Sequence, residues 1–355
     1  MKKIIGLALC VIVAFTCLTA GCMYSSAEEE TKDNYKYVVM DDGTVKLTEY
    51  QGENTEVINI PSEIDGKKVT VLGNGLFEYT ATSKINIINI PKTVNVIEQF
   101  VLKKVFTLKE IKVDDNNNKF FSEDGILFNK AKSVLICYPN NKEGNEYTVP
   151  NGVKTIGLEA FQFTNVKKVI LPESVKKIDI AAFKDSALET IKLGNKVEYI
   201  GKTAFWGTNL TTVFIPKSVK TIGRLAFGRR IENNEQAINY TIYGCKNSCI
   251  QNYCKKNNLK FIAVDPAAPK KTTVRGAKGK IKVNYKKVKR AKGFQVKAVS
   301  GKKKTVKIFK TKKSAMKSLK GLKKGTYKVK VRAFNTYNGE KIYGPWTKAK
   351  TVKVK

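Results

Sequence analysis

Apolar residues recur through the middle of this chain with a constant period of 22 residues. Between residues 150 and 227 the sequence reads VPNGVKTIGLEAF, LPESVKKIDIAAF, LGNKVEYIGKTAF and IPKSVKTIGRLAF. Four columns stay apolar in every copy: Val153, Val175, Val197 and Val219; Ile156, Ile178, Ile200 and Ile222; Ala160, Ala182, Ala204 and Ala226; Phe161, Phe183, Phe205 and Phe227. Such a period predicts a solenoid, in which each coil buries its apolar face against its neighbours.

Less regular copies extend the solenoid on both sides. Residues 58–77 and 88–102 follow the same plan, and residues 120–139 break it as a hairpin-like insertion. Residues 35–50 read as a capping hairpin that turns at Asp42 and Gly43, the pair that type I′ turns prefer. Near the other end Ile250, Tyr253 and Cys254 share one helical face, which predicts a short helix over the last coil.

The strand ahead of each Pro column predicts one outward surface. Val169, Ile191 and Val213 are expected to point into the core, so the alternate residues face outward on the concave sheet. We take those residues as candidate ligand contacts: Lys168, Ile170, Thr190, Lys192, Thr212 and Phe214. Two of them, Ile170 and Phe214, are apolar where water is expected, which favours a binding partner.

The pattern changes after the Pro-rich junction at residues 265–269. Short segments with period-two alternation follow, such as YKVKVRAF, in which Tyr327, Val329 and Val331 alternate with Lys328 and Lys330. About seven such strands in the last 90 residues predict a small β-sandwich. The fold class is therefore mainly β, with a solenoid over residues 28–264 and a sandwich over residues 265–355.

The repeat unit carries a family resemblance. The pattern apolar-x-Ile-Pro-x-x-Val-x-x-Ile-Gly-x-x-Ala-Phe resembles the BspA-like, Treponema-type leucine-rich repeats of bacterial surface proteins. The resemblance implies adhesion or ligand binding at a cell surface. The last 90 residues resemble a Lys-rich fibronectin type III domain, through Leu322, Gly325 and Tyr327 and through the Gly344-Pro345-Trp346 motif.

Charge separates the two parts of the chain. The whole chain has a net charge of +36, and residues 266–355 contain a single acidic residue, Glu340, among many lysines. A surface of this kind attracts polyanions. The candidate polyanion contacts are Lys302, Lys303, Lys304, Lys328, Lys330 and Arg332. Because the aromatic residues occupy inward strand positions, sequence-specific nucleic-acid binding is not expected.

The N-terminus predicts export. Lys2 and Lys3 precede an apolar run over residues 4–20, which is typical of a signal peptide. One cleavage interpretation removes residues 1–27, after small residues. The other removes residues 1–21 and leaves a lipid anchor on Cys22, since the segment ending in Cys22 resembles a bacterial lipobox. In both interpretations the protein is secreted or at the cell surface, and a membrane is contacted only through that anchor.

The sequence contains little evidence for a catalytic site or a metal-binding site. Histidine, the commonest general base and metal ligand, is absent from the chain. Cys245, Cys249 and Cys254 are close in sequence, yet no spacing imposes a fourth zinc ligand. Cys245 and Cys249 are an alternative disulfide pair. The acidic and amide residues at 114–118 lack EF-hand spacing, and turn formation explains them better than calcium binding.

These observations predict a non-enzymatic adhesin or ligand-binding protein without catalytic residues, metal or cofactor. Its solenoid would bind a host or bacterial surface protein or glycan, and its basic sandwich would hold an anionic cell-wall polymer. The alternative is a structural spacer of the cell envelope, in which the solenoid has no specific ligand and the basic domain serves only for attachment.

Overall fold

A computed structural model describes residues 29–53, 55–78, 84–228, 240–286, 288–289, 291–301, 303–309, 317–337 and 339–355. Through residue 264 the chain forms a solenoid built of parallel strands. Its N-terminal part contains β1 (Glu30–Lys32), β2 (Tyr35–Val39), β3 (Val45–Tyr50), β4 (Val57–Asn59), β5 (Glu63–Ile64), β6 (Lys67–Leu72), β7 (Ile87–Ile90), β8 (Val96–Ile97) and β9 (Glu110–Val113), with a 3-10 turn at Leu102–Lys104.

The predicted capping hairpin is present, but its turn differs from the prediction. Strands β2 and β3 pair antiparallel, with Val39 opposite Val45, so five residues connect them instead of two. Only Gly43 of this loop has a positive φ, of 77°, whereas a type I′ turn needs positive φ at both central residues. Asp42 instead accepts hydrogen bonds from the Thr44 backbone N–H and hydroxyl at 2.9 and 2.7 Å.

The insertion forms a second hairpin that joins the coils. It contains β10 (Phe120–Glu123), β11 (Ile126–Asn129) and β12 (Val134–Cys137). Asp124 and Gly125 connect β10 to β11 with φ of 51° and 72°, as a type I′ turn requires. Strand β12 then pairs in parallel with the next coil, and this pairing restores the regular stacking.

The regular coils repeat short strands in the same order. They contain β13 (Glu146–Thr148), β14 (Thr155–Ile156), β15 (Lys168–Ile170), β16 (Lys177–Ile178), β17 (Thr190–Lys192), β18 (Tyr199–Ile200), β19 (Phe205–Trp206), β20 (Thr212–Phe214), β21 (Thr221–Ile222) and β22 (Phe227–Gly228). One sheet runs β13-β15-β17, and another runs β10-β11-β12-β14-β16-β18-β21. Residues 22 apart face each other in both sheets, for example Lys168 and Thr190.

The predicted apolar columns form the solenoid core. Each Val, Ala and Phe of the four columns is at most 3% exposed, and in the Ile column only Ile222 is half-buried. Successive Phe rings stack with centroids 4.8, 5.3 and 5.2 Å apart. Tyr138, at the end of the insertion, stacks on Phe161 at 4.9 Å, so the insertion supplies the first ring of this ladder.

A left-handed residue precedes the Ala column in every regular coil. Glu159, Ala181, Thr203 and Leu225 have φ between 52° and 57°. This conformation directs the amide of the residue towards the next coil: Ala181 donates to the Lys202 carbonyl at 2.9 Å, and Thr203 to the Arg224 carbonyl at 3.1 Å. Inter-coil hydrogen bonding therefore accounts for a conformation that costs non-glycine residues free energy.

The last coil is closed as predicted. It contains β23 (Thr241–Gly244), the helix α1 (Cys249–Lys256) and β24 (Lys260–Ala263), and β20, β23 and β24 form one parallel sheet. Ile250, Tyr253 and Cys254 are the buried residues of α1, and the Tyr253 ring meets Phe227 edge-on at 6.0 Å. The short helix therefore covers the end of the Phe ladder.

Residues 265–355, called the C-terminal region below, form two antiparallel sheets. They contain β25 (Thr273–Ala277), β26 (Lys280–Asn284), β27 (Gly293–Ser300), β28 (Lys303–Phe309), β29 (Lys317–Lys320), β30 (Gly325–Tyr337), β31 (Glu340–Tyr343) and β32 (Lys350–Val354). One sheet runs β25-β26-β29, and the other runs β28-β27-β30-β31 with β32 also paired to β30. Both contribute to one core, which includes Ile281 and Leu319 from the first and Val296 and Val329 from the second.

Aromatic and apolar side chains join the C-terminal region to the solenoid. Tyr337 of β30 lies 5.1 Å, centroid to centroid, from both Phe214 and Tyr243 of the last coils. These residues pack with Val264 and Ile342 in one apolar cluster. The end of β30 therefore packs against the last coils of the solenoid.

Candidate ligand-binding surface

The predicted concave sheet presents two outward rows in the regular coils. We call these rows the front face. In the first row Glu146, Lys168 and Thr190 lie side by side in register, and in the second Thr148, Ile170 and Lys192 do so. The residues between the rows, including Val169 and Ile191, are at most 3% exposed. The predicted alternation is therefore confirmed.

The front face continues into β20 and β23. Thr212 lies opposite Thr241, and Phe214 opposite Tyr243. Thr190, Lys192 and Thr212 are exposed, and Ile170 is half-buried. The structure thus brings five of the six predicted ligand contacts onto one open surface, in two parallel rows.

The prediction that Phe214 is exposed is wrong. Its side chain is only 9% exposed, because Tyr337 of the C-terminal region packs on it at 5.1 Å. The apolar character of Phe214 is explained by this internal contact. The open part of the front face ends before β20's last residue.

Lys168 is engaged by its neighbour in the first row. Its ammonium lies 2.9 Å from a Glu146 carboxylate oxygen, and both side chains are about half exposed. An exposed ion pair of this kind contributes little to stability, at most about 1 kcal/mol. Both charges therefore remain available to a partner that offers better-placed charges.

A cleft of 440 Å³ lies at the edge of the second row. It is lined by Thr148, Ile170 and Lys192 and by the turns that follow their strands, which include Glu173. A Glu173 carboxylate oxygen accepts the Asn195 backbone N–H at 2.9 Å. The cleft thus combines an apolar side chain, a hydroxyl, an ammonium and a held carboxylate, which together are suited to binding a polar ligand.

Thr148 and Glu173 were not among the predicted contacts. Thr148 belongs to the strand of residues 146–148, which follows the irregular insertion. Glu173 lies in the turn after the Pro column, and only the stacking of coils brings it beside the strands. The register of Thr148 was accessible from the 22-residue spacing, since Thr148 precedes Ile170 by one period.

A separate parallel sheet, β4-β7-β9, presents amide groups in the N-terminal coils. Asn59, Asn89 and Lys112 lie in register along it, and the Asn89 side-chain amide donates to the Asn59 side-chain oxygen at 2.6 Å. They line a cleft of 330 Å³. The alternation that identified the front face in the later coils applies equally to the INIP segments at residues 58–61 and 88–91. Asn59 and Asn89 could therefore have been predicted from the sequence as outward-facing residues.

A buried cluster occupies the gap that the insertion leaves between coils. Lys103, only 5% exposed, donates to the Tyr138 carbonyl at 2.7 Å and to the Asn140 side-chain oxygen at 3.3 Å. Burial lowers the pKa of the Lys103 ammonium and raises the pKa of the Glu159 carboxyl beside it. The two residues line a cavity of 210 Å³ together with Cys137.

This cluster holds the insertion in place. The Asn140 side-chain amide returns a hydrogen bond to the Lys103 carbonyl at 2.9 Å, so the two residues close a ring of mutual contacts. Burial also raises the pKa of the Cys137 thiol, which keeps it protonated and weakly nucleophilic. We therefore assign the cluster a structural role.

The turn at residues 114–118 uses its polar groups internally. The Asn117 side-chain amide donates to the Pro91 and Val94 carbonyls at 2.9 and 3.0 Å, and its oxygen accepts two backbone N–H groups. Asp114 accepts the Asn116 backbone N–H at 2.8 Å. Two of the groups considered as calcium ligands, Asp114 and Asn117, are thus hydrogen-bond partners of the backbone.

The cysteines of the described residues are free thiols. Burial, together with the Asp265 carboxylate, raises the pKa of Cys245 to about 11. Across the described ranges no group of three or more Cys, Asp or Glu residues is arranged to hold a metal ion. Within the same ranges no helix has the length and apolar content needed to span a membrane.

The candidate polyanion contacts have different environments. Lys328 and Lys330 are exposed on β30. Arg332 is half-buried, with its guanidinium 3.8 Å from the Tyr343 ring centroid and 4.4 Å from that of Trp346, and it donates to Gln295 at 2.7 Å. Lys302 and the side chains of Lys303 and Lys304 lie outside the described residues, as does Cys22 with the predicted signal peptide.

Known proteins share the solenoid. Residues 33–132 and 136–262 match the BspA type leucine rich repeat region in six copies. None of the curated proteins compared with this chain matches it.

Solved structures of leucine-rich repeat proteins are similar to the chain as well. A leucine rich cell surface protein from Faecalibacterium prausnitzii is 15% identical, with a TM-score of 0.30 over 61% of this chain and 88% of its own. The pneumococcal vaccine antigen PcpA is 16% identical, with a TM-score of 0.38 over 67% and 98%. A T. pallidum leucine rich repeat protein is 18% identical, with a TM-score of 0.35 over 66% and 98%. Since the repeat match spans well over half of the chain, the protein belongs to the BspA type leucine rich repeat family.

Proposed function

We propose that this chain is a non-enzymatic ligand-binding or adhesion protein of a bacterial cell surface, and that its front face binds a protein or glycan partner. The observation that carries the proposal is the cleft at Thr148, Ile170 and Lys192. A half-buried apolar side chain, Ile170, lies there between polar groups that stay open to solvent. Family membership supports the same class of function.

A binding screen with matched variants tests the front face. The full chain is applied to immobilised matrix proteins and to a glycan array. Ile170→Asp with Lys192→Glu is expected to weaken the bound interaction by about 10- to 100-fold, because a central contact of an interface typically carries 1 to 3 kcal/mol. Ile180→Asp with Lys177→Glu is the control, since Ile180 and Lys177 are exposed outside the front face.

Equal weakening by both variants would point to a general effect of charge and would contradict the assignment of the front face. Undiminished binding by the front-face variant would contradict it as well. In either case the spacer function gains support. The contact between Tyr337 and Phe214 favours that second function, because it packs the C-terminal region against the last coils of the solenoid.

We further propose that the C-terminal region is a sandwich of the fibronectin type III kind that binds an anionic cell-envelope polymer. Its strand order, β25-β26-β29 against β28-β27-β30-β31, supports the sandwich. Among the described residues, the ion pairs all involve residues 29–220. The ammonium groups of the C-terminal region thus lack carboxylate partners within the described chain.

Sedimentation with purified cell walls tests the attachment. The full chain is expected to bind walls and to be released by raising the salt concentration, because association with a polyanion releases counterions. Walls stripped of their anionic polymer are expected to bind at least tenfold less. Unchanged binding to stripped walls would overturn the proposed attachment.

The proposal includes export of the chain, with residues 1–27 or 1–21 removed. Mass spectrometry of the mature protein distinguishes the two products, because a lipid on Cys22 adds a diacylglyceryl mass. An N-terminus that retains Met1 on protein recovered from the native host would contradict both.

A further inference from the structure

The C-terminal region carries a basic surface on the outer side of its five-stranded sheet. Strand alternation directs Phe294, Val296 and Ala298 of β27 into the core, so Lys297 points outward. Lys297 lies directly opposite Lys330 of β30. We call Lys297, Lys328, Lys330 and Lys353 the first basic face; all but Lys297, which is half-buried, are exposed.

The three-stranded sheet carries a second basic surface. Ile281 and Val283 of β26 point into the core, so Lys280 and Lys282 point outward. Lys282 lies opposite Arg275 of β25, and Lys280 lies opposite Lys320 of β29. We call Arg275, Lys280, Lys282 and Lys320 the second basic face; Arg275, Lys282 and Lys320 are exposed, and Lys280 is half-buried.

Like charges directly opposite each other are unfavourable in a sheet. Residues at such positions are about 5 Å apart at Cβ, which is less than the screening length of about 8 Å at physiological salt. Both faces contain such pairs, and no carboxylate of the described residues forms an ion pair with either. A bound polyanion would relieve the repulsion on each face.

The two faces point away from each other. They lie on opposite sides of one core, in sheets that pack about 10 Å apart, and the outward lysine side chains add several ångströms on each side. At one edge the sheets meet, because the Lys353 backbone of β32 lies directly against Gly276 of β25. Away from that edge, the ammonium groups of the two faces are separated by about two screening lengths. A polymer segment only a few repeats long therefore cannot cover both faces at once, and a longer flexible chain would have to bend around the edge of the sandwich to do so.

Both faces remain open in the full chain. The contact with the solenoid uses Tyr337 and Ile342, together with a hydrogen bond from the Asn335 side-chain amide to the Val264 carbonyl at 3.4 Å. These residues lie at the C-terminal end of β30 and on β31, beyond the segment of β30 that carries Lys328 and Lys330. The solenoid therefore leaves the basic faces uncovered.

The residue type indicates the chemistry of the polymer. Both faces consist of lysine apart from Arg275. Lysine is a common phosphate ligand that acts as a point charge, whereas the planar fork of arginine suits carboxylates and phosphates alike. Outward residues of one strand, such as Lys328 and Lys330, are about 7 Å apart. This arrangement is suited to a flexible linear polymer with a phosphodiester charge on every repeat.

We propose that the C-terminal region bridges two strands of a phosphodiester-linked envelope polymer, with one strand on each basic face. The inference rests on the proposed polymer attachment and adds to it the number of binding faces. A protein with one face only anchors itself to the polymer. A protein with two faces also cross-links it.

A bridging assay with the full chain tests the proposal. The probe is poly(glycerol phosphate), immobilised on a surface through one end, with a fluorescent sample of the same polymer in solution. The protein is expected to retain fluorescent polymer on the surface. Direct binding of the protein to the immobilised polymer is measured separately, as a function of salt.

Three triple variants define the outcome. The first-face variant is Lys297→Gln, Lys328→Gln and Lys330→Gln, and the second-face variant is Arg275→Gln, Lys282→Gln and Lys320→Gln. The control removes the same charge from exposed solenoid lysines that form no ion pair among the described residues, as Lys154→Gln, Lys196→Gln and Lys202→Gln. Circular dichroism of each variant verifies that the strands persist.

Each single-face variant is expected to bind the polymer with a reduced salt dependence and to lose bridging at least tenfold. The control is expected to bridge as the unmodified chain does. Combining the two face variants is expected to abolish binding. Bridging that survives in either single-face variant would overturn the proposal, since one face on each of two associated copies would then suffice.

The remaining outcomes separate this inference from the attachment on which it rests. A chain that binds the polymer but never bridges it overturns the two-face inference alone. A chain that does not bind the polymer overturns the attachment itself. Stronger bridging of duplex DNA or polygalacturonate than of poly(glycerol phosphate), or equal retention on anionic lipid vesicles, overturns the assigned class of polymer.

Discussion

The solenoid and the C-terminal region both stack strands over an apolar core, but they place their charges differently. In the solenoid, opposite charges lie side by side from coil to coil: Lys168 meets Glu146 at 2.9 Å and Lys220 meets Glu198 at 2.6 Å, each one period apart. In the C-terminal region, Lys297 faces Lys330 and Lys280 faces Lys320. Side chains at facing positions of neighbouring strands thus form ion pairs in the solenoid, whereas in the C-terminal region they carry like charges.

The two arrangements of charge favour different roles: ion pairs within the solenoid, and attraction of polyanions by the C-terminal region. The solenoid pairs many of its charges and leaves mixed polar groups on the front face, which suits a specific partner. The C-terminal region retains a self-repelling surface, which a polyanion would neutralise. Each region contains one of the two tryptophans, Trp206 in the solenoid and Trp346 in the C-terminal region. The unfolding of each region can therefore be followed separately in variants that retain a single tryptophan.

The largest expected effect tests how far the two cores are independent. Phe183→Ala removes a fully buried ring that stacks on two others, and it is expected to lower the free energy of unfolding of the solenoid by about 3 to 5 kcal/mol. Denaturant unfolding followed by Trp206 fluorescence measures it. The transition of Trp346 should stay within about 0.5 kcal/mol; an equal shift there would show that the two regions unfold as one unit.

The contact between the regions gives the next effect. Tyr337→Ala removes the ring that packs on Phe214 and Tyr243, so the cluster that includes Cys245 is expected to open. The rate of Cys245 alkylation, measured by mass spectrometry, should increase about tenfold. This corresponds to a decrease of about 1.4 kcal/mol in the free energy needed to expose the thiol. Cys249, which is already half-exposed, is the internal reference, and unchanged labelling of Cys245 would contradict the contact.

Two matched substitutions then test whether facing side chains attract each other in the solenoid and repel each other in the C-terminal region. Lys297→Glu places a carboxylate opposite Lys330 and should stabilise the C-terminal region by about 0.5 to 1 kcal/mol at low salt. Glu146→Lys creates a like-charge pair with Lys168 and should destabilise the solenoid by a similar amount. Both effects should shrink in 1 M salt. If both variants changed the free energy of unfolding in the same direction, the proposed difference in charge arrangement between the two regions would be wrong.

The smallest expected effect concerns pH. Burial raises the pKa of Glu159 above its ordinary value of 4.5, so the folded chain retains a proton that the unfolded chain has released. The free energy of unfolding should therefore fall as the pH rises from about 4.5 through the folded pKa. Glu159→Gln should remove this part of the pH dependence, as measured by Trp206 fluorescence, while Glu173→Gln, at an exposed carboxyl, serves as the control.

Much of the fold could be predicted because stacking imposes a constant period. Residue spacing predicts the four apolar columns of Val, Ile, Ala and Phe. It also predicts the inward orientation of Val169 and Ile191 and the buried helix face that contains Tyr253. The type I′ turn was predicted at Asp42-Gly43, whereas Asp124-Gly125 adopts it. Local sequence could not decide between them, since the strand register that fixes the loop length depends on pairing across the hairpin.

The front face was only partly predictable. Lys168, Thr190 and Lys192 face outward as the alternation predicts, and the same rule applied one coil earlier identifies Thr148. Glu173 could not be identified in this way, because it reaches the cleft from a turn. Which partner the face binds, and which polymer the basic region holds, stay proposals that the binding and bridging assays decide.

The sequence by itself determined the solenoid and the charge of each region, because the repeat period and the excess of lysine are properties of the chain's order and composition. Only the tertiary structure decided that Phe214 is an internal contact and that the lysines form two faces. Tyr337 lies 123 residues from Phe214, outside any repeat period. Contacts between such distant segments depend on how two finished folds pack together, and no spacing in the sequence records that packing.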